Sequence, residues 1–127
     1  PSALLAALVA SGLPPYPFTF GGFPPPRAGK RRSFYRRLGG LGHTLVVYES
    51  PHRLLASLAD ALAELGDRPA AVARELTKLH EEILRGPLSE LLAGLAERPA
   101  LKGEFTVVIG TSTPLAEARP ADREETE

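Results

Sequence analysis

The chain has 127 residues, 43% hydrophobic and 24% charged, with zero formal net charge and no cysteine. That length fits one domain able to bury roughly two-thirds of its unfolded surface, and the lack of cysteine excludes disulfides and thiolate metal sites. The longest apolar stretch, Ala3 to Ala10, is too short to span a bilayer and lacks the basic flank of a signal peptide, so a cytoplasmic location is expected.

Taken in chain order, Ser2 to Ser11 reads as a helix with Leu4, Leu5, Leu8 and Val9 on its face, ended by Gly12. A chain that begins immediately inside a helix reads as a piece of a longer protein. Tyr16 to Phe20 is a short strand, Gly21 to Gly29 a Pro/Gly-rich loop, and Lys30 to Leu38 a short basic helix. Thr44 to Tyr48 is a strand that breaks into Glu49 and Ser50. Ser50 and Pro51 then read as the cap and first turn of a helix to Leu65, with Leu54, Leu55, Leu58, Leu62 and Leu65 on one face and Gly66 at its end. The strands Ala70 to Glu75 and His80 to Arg85 follow, then a helix from Leu88 to Ala96 and a last strand, Phe105 to Ile109, that closes the sheet. From Thr111 the Pro, Ala and acidic residues read as a disordered tail. The expected class is α/β, a mixed sheet of about five strands flanked by helices.

Two runs carry the chemistry: YESPHRLL, from Tyr48 to Leu55, and ARELTK, from Ala73 to Lys78. Each is an apolar strand breaking abruptly into charged and hydroxyl residues, and ligands in α/β proteins gather where strands end. If Leu45 to Tyr48 and Ala70 to Ala73 are parallel neighbours joined by a right-handed helical crossover, both ends lie on the same side of the sheet. Glu49 and Glu75 then face one cleft. The plainer reading is a capped helix with a surface ion pair between Glu49 and Arg53, and Arg74 and Glu75 pairing with each other or with Glu81.

Charge is unevenly placed. Arg27, Lys30, Arg31, Arg32, Arg36 and Arg37 lie together with no acid among them, a segment that would attract a phosphate backbone or else form a solvated helix face. Phe34 and Tyr35 interleave with these cations and could stack on bases, though anchoring the helix to the core is the simpler role. His43, His52 and His80 have no ligand spacing, so no metal site is expected.

PSALLAALVASGLP at the start, FTFGGFPP, YESPHR, ARELTKLHEEILRG and KGEFTVVIG together resemble the tetrapyrrole methylase family, in the branch that acts on ribosomal RNA. The similarity runs from Pro1 to about Gly110 and matches the family's C-terminal domain. Corrin methylases of the family usually have Tyr-Met-Gly where Tyr48 and Glu49 stand. The resemblance implies a two-domain methyltransferase with S-adenosylmethionine in the cleft between domains, and a cytidine 2′-O-methylated in small-subunit ribosomal RNA as product. The N-terminal domain, with its glycine-rich loop, lies outside the chain, so about half a site is expected here.

On matched motifs, the resemblance carries cofactor contact to Ser2 and Ala3, to Tyr48 and Glu49, to Ala73, Arg74 and Glu75, and to Gly103, Glu104 and Phe105, whose backbone would face the adenine. His52, Arg53, Lys78 and the basic segment are the RNA candidates. Transfer to a ribose needs alignment of the hydroxyl with the donor and removal of a proton. Glu49, His52, Glu75 and Lys78 are all of a type to accept it, and the sequence does not choose among them. Expected partners are small-subunit ribosomal RNA, the N-terminal domain and a second copy of the chain, with no membrane. A corrin-type small-molecule methylase and a non-catalytic RNA-binding or dimerisation module are the rival readings.

Overall fold

The computed structural model describes residues 3–77 and 80–111. Ser2, Lys78 and the tail beyond Thr111 therefore lie outside the described residues. In order the elements are α1 (Ala3–Ser11), β1 (Phe18–Gly22), α2 (Ala28–Gly39), β2 (Thr44–Glu49), α3 (Leu54–Leu65), β3 (Pro69–Thr77), β4 (His80–Pro87), α4 (Leu88–Ala96) and β5 (Glu104–Ile109).

The strands form one mixed sheet in the order β1-β2-β5-β3-β4. β1 runs parallel to β2, whereas β5 pairs antiparallel with both β2 and β3, and β3 pairs antiparallel with β4. The expected neighbour relation between β2 and β3 is thus corrected: β5 sits between them. The cause lies in β5 itself, where Phe105, Val107, Val108 and Ile109 are all buried, and a run without polar alternation suits a strand covered on both faces. Because β2 and β3 both oppose β5, they still point the same way.

Strand alternation divides the core in two. Leu45, Val47, Val72, Phe105, Val107 and Ile109 meet α2, α3 and α4 on one face. Val46, Ala71 and Val108 meet Ala7 and Leu8 of α1 on the other. The expected face of α1 is only half right, since Leu5 and Val9 are 53% and 77% exposed while Ala7, Leu8 and Ser11 are buried. A helix reading ALLAALVAS is apolar all round, so its periodicity cannot select an inner side. No described helix is long and apolar enough to cross a membrane.

Gly21 lets α2 lie close against β1, for a Cβ there would stand 2.9 Å from the Phe34 ring and 3.0 Å from Leu38. Phe34 and Tyr35 are buried, which settles their role as anchors of α2. The Tyr35 hydroxyl shares a hydrogen bond with Ser57 Oγ on α3, and burial, the largest effect, pushes the phenol far above its ordinary value. A raised phenol stabilises the fold fully below the unfolded value near pH 10 and loses that contribution as pH climbs beyond it. Tyr35→Phe should cost about 1–2 kcal/mol at neutral pH by stranding Ser57, and should flatten the alkaline limb of a pH–stability curve. An unchanged limb would assign alkaline unfolding to another group.

The basic segment also departs from expectation. Arg31 is 5% exposed; its Nε donates to Asp60 Oδ2 at 2.7 Å and its Nη1 to the Pro26 carbonyl at 2.9 Å. Arg32 lies 3.7 Å from Asp60, and Arg36 Nε donates to Glu64 at 2.9 Å. The acids missing from the local sequence come from α3. Arg31 is therefore a packing residue and not a free RNA contact, while Arg27, Lys30 and Arg37 are exposed and make no ion pair among the described residues.

Candidate active site

The C-terminal ends of β2 and β3 and the start of β5 meet at one end of the sheet, with Glu49 opposite Phe105, Arg74 opposite Phe105 and Glu75 opposite Glu104. A cleft of about 780 Å³ opens there beneath α1. Its walls include Ala3, Tyr48, Glu49, Ala73, Arg74, Glu75, Gly103, Glu104 and Phe105, every described residue to which cofactor contact was assigned. Gly103 has φ 97°, a left-handed turn into β5 that residues with a Cβ adopt only at a cost.

Glu49 and Ser50 are the unusual pair. Glu49 is 2% exposed, with Oε1 accepting the Ser50 N–H at 3.0 Å. Its Oε2, and the Ser50 hydroxyl, are buried without a partner among the described residues. The surface ion pair with Arg53 is not formed among the described residues. Nor is Ser50 the helix cap: α3 starts at Leu54, with Arg53 at the cap position making no side-chain bond, and a turn over Pro51 to Arg53 is closed by the Arg53 N–H donating to the Ser50 carbonyl at 3.1 Å. That extra turn leaves Ser50 ahead of the helix, among the residues that line the cleft. Buried polar atoms without partners are rare in folded proteins, and a catalytic role or a bound water or ion is among the reasons they persist.

Across the cleft, both oxygens of Glu82 accept from Arg98 at 2.8 Å, and these bonds hold its carboxyl below the usual glutamate range. Arg74 Nε lies 3.3 Å from the same carboxylate without donating a hydrogen bond. It pairs with Glu82, then, and not with Glu75 or Glu81. Among the described residues Glu49, Glu75, Glu81, Glu82 and Glu104 line the cleft with Arg74 as the lining cation, and although Arg98 offsets Glu82 the remaining carboxylates favour a cation over phosphate.

The family model described as Tetrapyrrole (Corrin/Porphyrin) Methylases matches residues 1–92. The chain belongs to the tetrapyrrole methylase family. Curated relatives named Ribosomal RNA small subunit methyltransferase I include those of Mycobacterium tuberculosis strain H37Rv, 48% identical over 92% of this chain and 41% of the relative, and of Micromonospora olivasterospora, 47% identical over 87% and 36%. The Streptococcus pyogenes serotype M1 relative is 45% identical over 85% and 37%. This chain thus spans less than half the length of those relatives. Among solved structures, the methyltransferase CobJ superposes with TM-score 0.65 at 19% identity over 87% of this chain and 48% of its own. Diphthine synthase gives 0.63 at 14% over 93% and 49%, a likeness of fold.

Not every nominated residue joins the tetrapyrrole methylase cleft. His52 is exposed and, like Arg53, does not line it. His43 is tied to Thr19, with Nδ1 3.0 Å from Oγ1, and no cluster of metal-binding type occurs among the described residues. Sequence reasoning missed Phe23, Ile83 and the small residues Ala6, Ala7 and Ala10 of α1, all of which line the cleft. The spacing of those alanines on a helix was readable; that Ala6 and Ala10 border a cleft, while Ala7 also packs in the core, was not.

Proposed function

We propose that this chain is the C-terminal portion of an S-adenosylmethionine-dependent methyltransferase that modifies the 2′-oxygen of a cytidine in small-subunit ribosomal RNA. The observation that carries the reading is the convergence of Tyr48 to Pro51, Ala73 to Glu75 and Gly103 to Thr106, far apart in sequence, on one cleft. The names of the relatives supply the substrate class, and the basic segment on the same chain suits a phosphate backbone. The protein would act in the cytoplasm, with a second copy of itself as a further partner.

The residues present fit the donor. Acid-rich walls suit its positive charge, the alanine side of α1 with Phe105 and Ile83 suits its apolar parts, and the unpaired Glu49 Oε2 and Ser50 Oγ offer an acceptor and a hydroxyl. When bound, S-adenosylmethionine supplies an electrophilic methyl group. The chain's own residues orient and desolvate: α1 closes one side against water, and the β5 start offers main-chain polar groups. The Glu49 carboxylate would take a proton or hold a cation.

The test is transfer of labelled methyl groups by the full-length chain to small ribosomal subunits, followed by nucleoside analysis. The proposal expects 2′-O-methylcytidine, and expects no transfer by the 127-residue chain alone until the rest of the protein is added back. A methylated base, a methylated tetrapyrrole, or transfer by this chain alone would contradict it.

A further inference from the structure

At the lip of the cleft stands an aromatic cluster that the core does not need. Tyr48 holds the rings of Phe20 and Phe23 edge-to-face at centroid distances of 5.1 and 5.7 Å, yet Phe20 is 45% exposed and Phe23 64% exposed. Phe23 belongs to the cleft lining, while Pro25, two residues on, belongs to a neighbouring groove lined by Arg27, Lys30 and Arg37. The loop between them runs Phe-Pro-Pro-Pro-Arg. Three fixed prolines stiffen it, and Phe23 and Arg27 can be no more than roughly 14 Å apart along the backbone.

From this juxtaposition we infer that Phe23 is a stacking platform for an unpaired base of single-stranded RNA, whose phosphates lie on Arg27, Lys30 and Arg37. Charge complementarity selects the occupant. The three exposed cations have no acidic partner among the described residues, so they attract a polyanion, while the carboxylates inside the cleft turn phosphate away. A strand seated this way keeps its backbone outside and sets a base over the ring and a ribose at the cleft mouth. A ring fixed in advance by Tyr48 gives up little freedom on stacking, and a π-face accepts any base. The inference rests on RNA being the substrate and adds the residue that holds the nucleotide.

The experiment measures binding of a short, unstructured, cytidine-rich oligoribonucleotide to the full-length chain across a salt series. Phe23→Ala and Phe23→Leu should each weaken binding roughly ten-fold or more at every salt concentration, leaving the salt slope unchanged, while Phe23→Tyr should bind like wild type. Lys30→Ala with Arg37→Ala should instead flatten the slope. Annealing the oligonucleotide to its complement should abolish the dependence on Phe23. Wild-type affinity in Phe23→Leu would overturn the inference, as would a lower melting temperature for Phe23→Ala with unchanged RNA affinity, because the ring is then covered by protein. Methyl transfer by the wild-type protein is scored separately, so failure of the reaction and failure of the platform are distinguishable.

Discussion

Glu49→Gln in the full-length chain is expected to lower methyl transfer to small ribosomal subunits by about 10²-fold or more, with melting temperature unchanged or raised. Glu49 is buried, and among the described residues neither its Oε2 nor the Ser50 hydroxyl has a partner. A buried carboxylate without a partner costs folding energy, and such local costs are tolerated where a site demands them. Glutamine keeps the shape and can still accept the Ser50 N–H through Oε1, so the variant removes charge and little else. Titration of the donor separates the two roles open to the carboxylate: weaker donor binding assigns it to the donor's positive charge, and unchanged binding with a lower kcat assigns it to the proton. Retained activity together with a lower melting temperature would make Glu49 a structural residue.

Arg31→Ala should be the most destabilising change in the basic segment, at about 3 kcal/mol, whereas Arg37→Ala should stay within about 0.5 kcal/mol of wild type. The difference follows from placement. The side chain of Arg31 is 6% exposed and bonded to Asp60, itself 14% exposed, so its removal leaves a nearly buried carboxylate with Arg32 at 3.7 Å as its remaining cation. Urea unfolding midpoints of the full-length variants check both values. Equal midpoints would mean that the α2–α3 contact contributes nothing and that all six cations are surface.

The contrast between these arginines shows what was legible. Every helix and strand was readable from periodicity and punctuation, with ends shifted by a few residues, because those signals are local. The partners of Arg31 and Arg36 were not, since Asp60 and Glu64 stand on another helix and meet them only when α2 packs on α3. Strand order failed for a related reason: nothing near Phe105 states that β5 inserts between β2 and β3, although its unbroken burial explains the central position afterwards. The cleft residues came through the motifs, where YESPHR and ARELTK mark strand ends. Ser50 was misread because a serine before a proline is an apt cap by type, and the intervening turn over Pro51 to Arg53 becomes visible only in three dimensions. Phe23 was passed over inside a proline-rich loop that composition marks as a connector.

The proposed donor site joins β2, β5, β3 and α1 in one cleft. It is tested most directly by a crystal structure of the full-length chain grown with S-adenosylhomocysteine, the donor's demethylated product. The expected result is the ligand in the cleft beneath α1, with one of its polar atoms within hydrogen-bonding distance of Glu49 Oε2 or Ser50 Oγ. A ligand seated elsewhere, with the cleft filled by another segment of the protein, would contradict it.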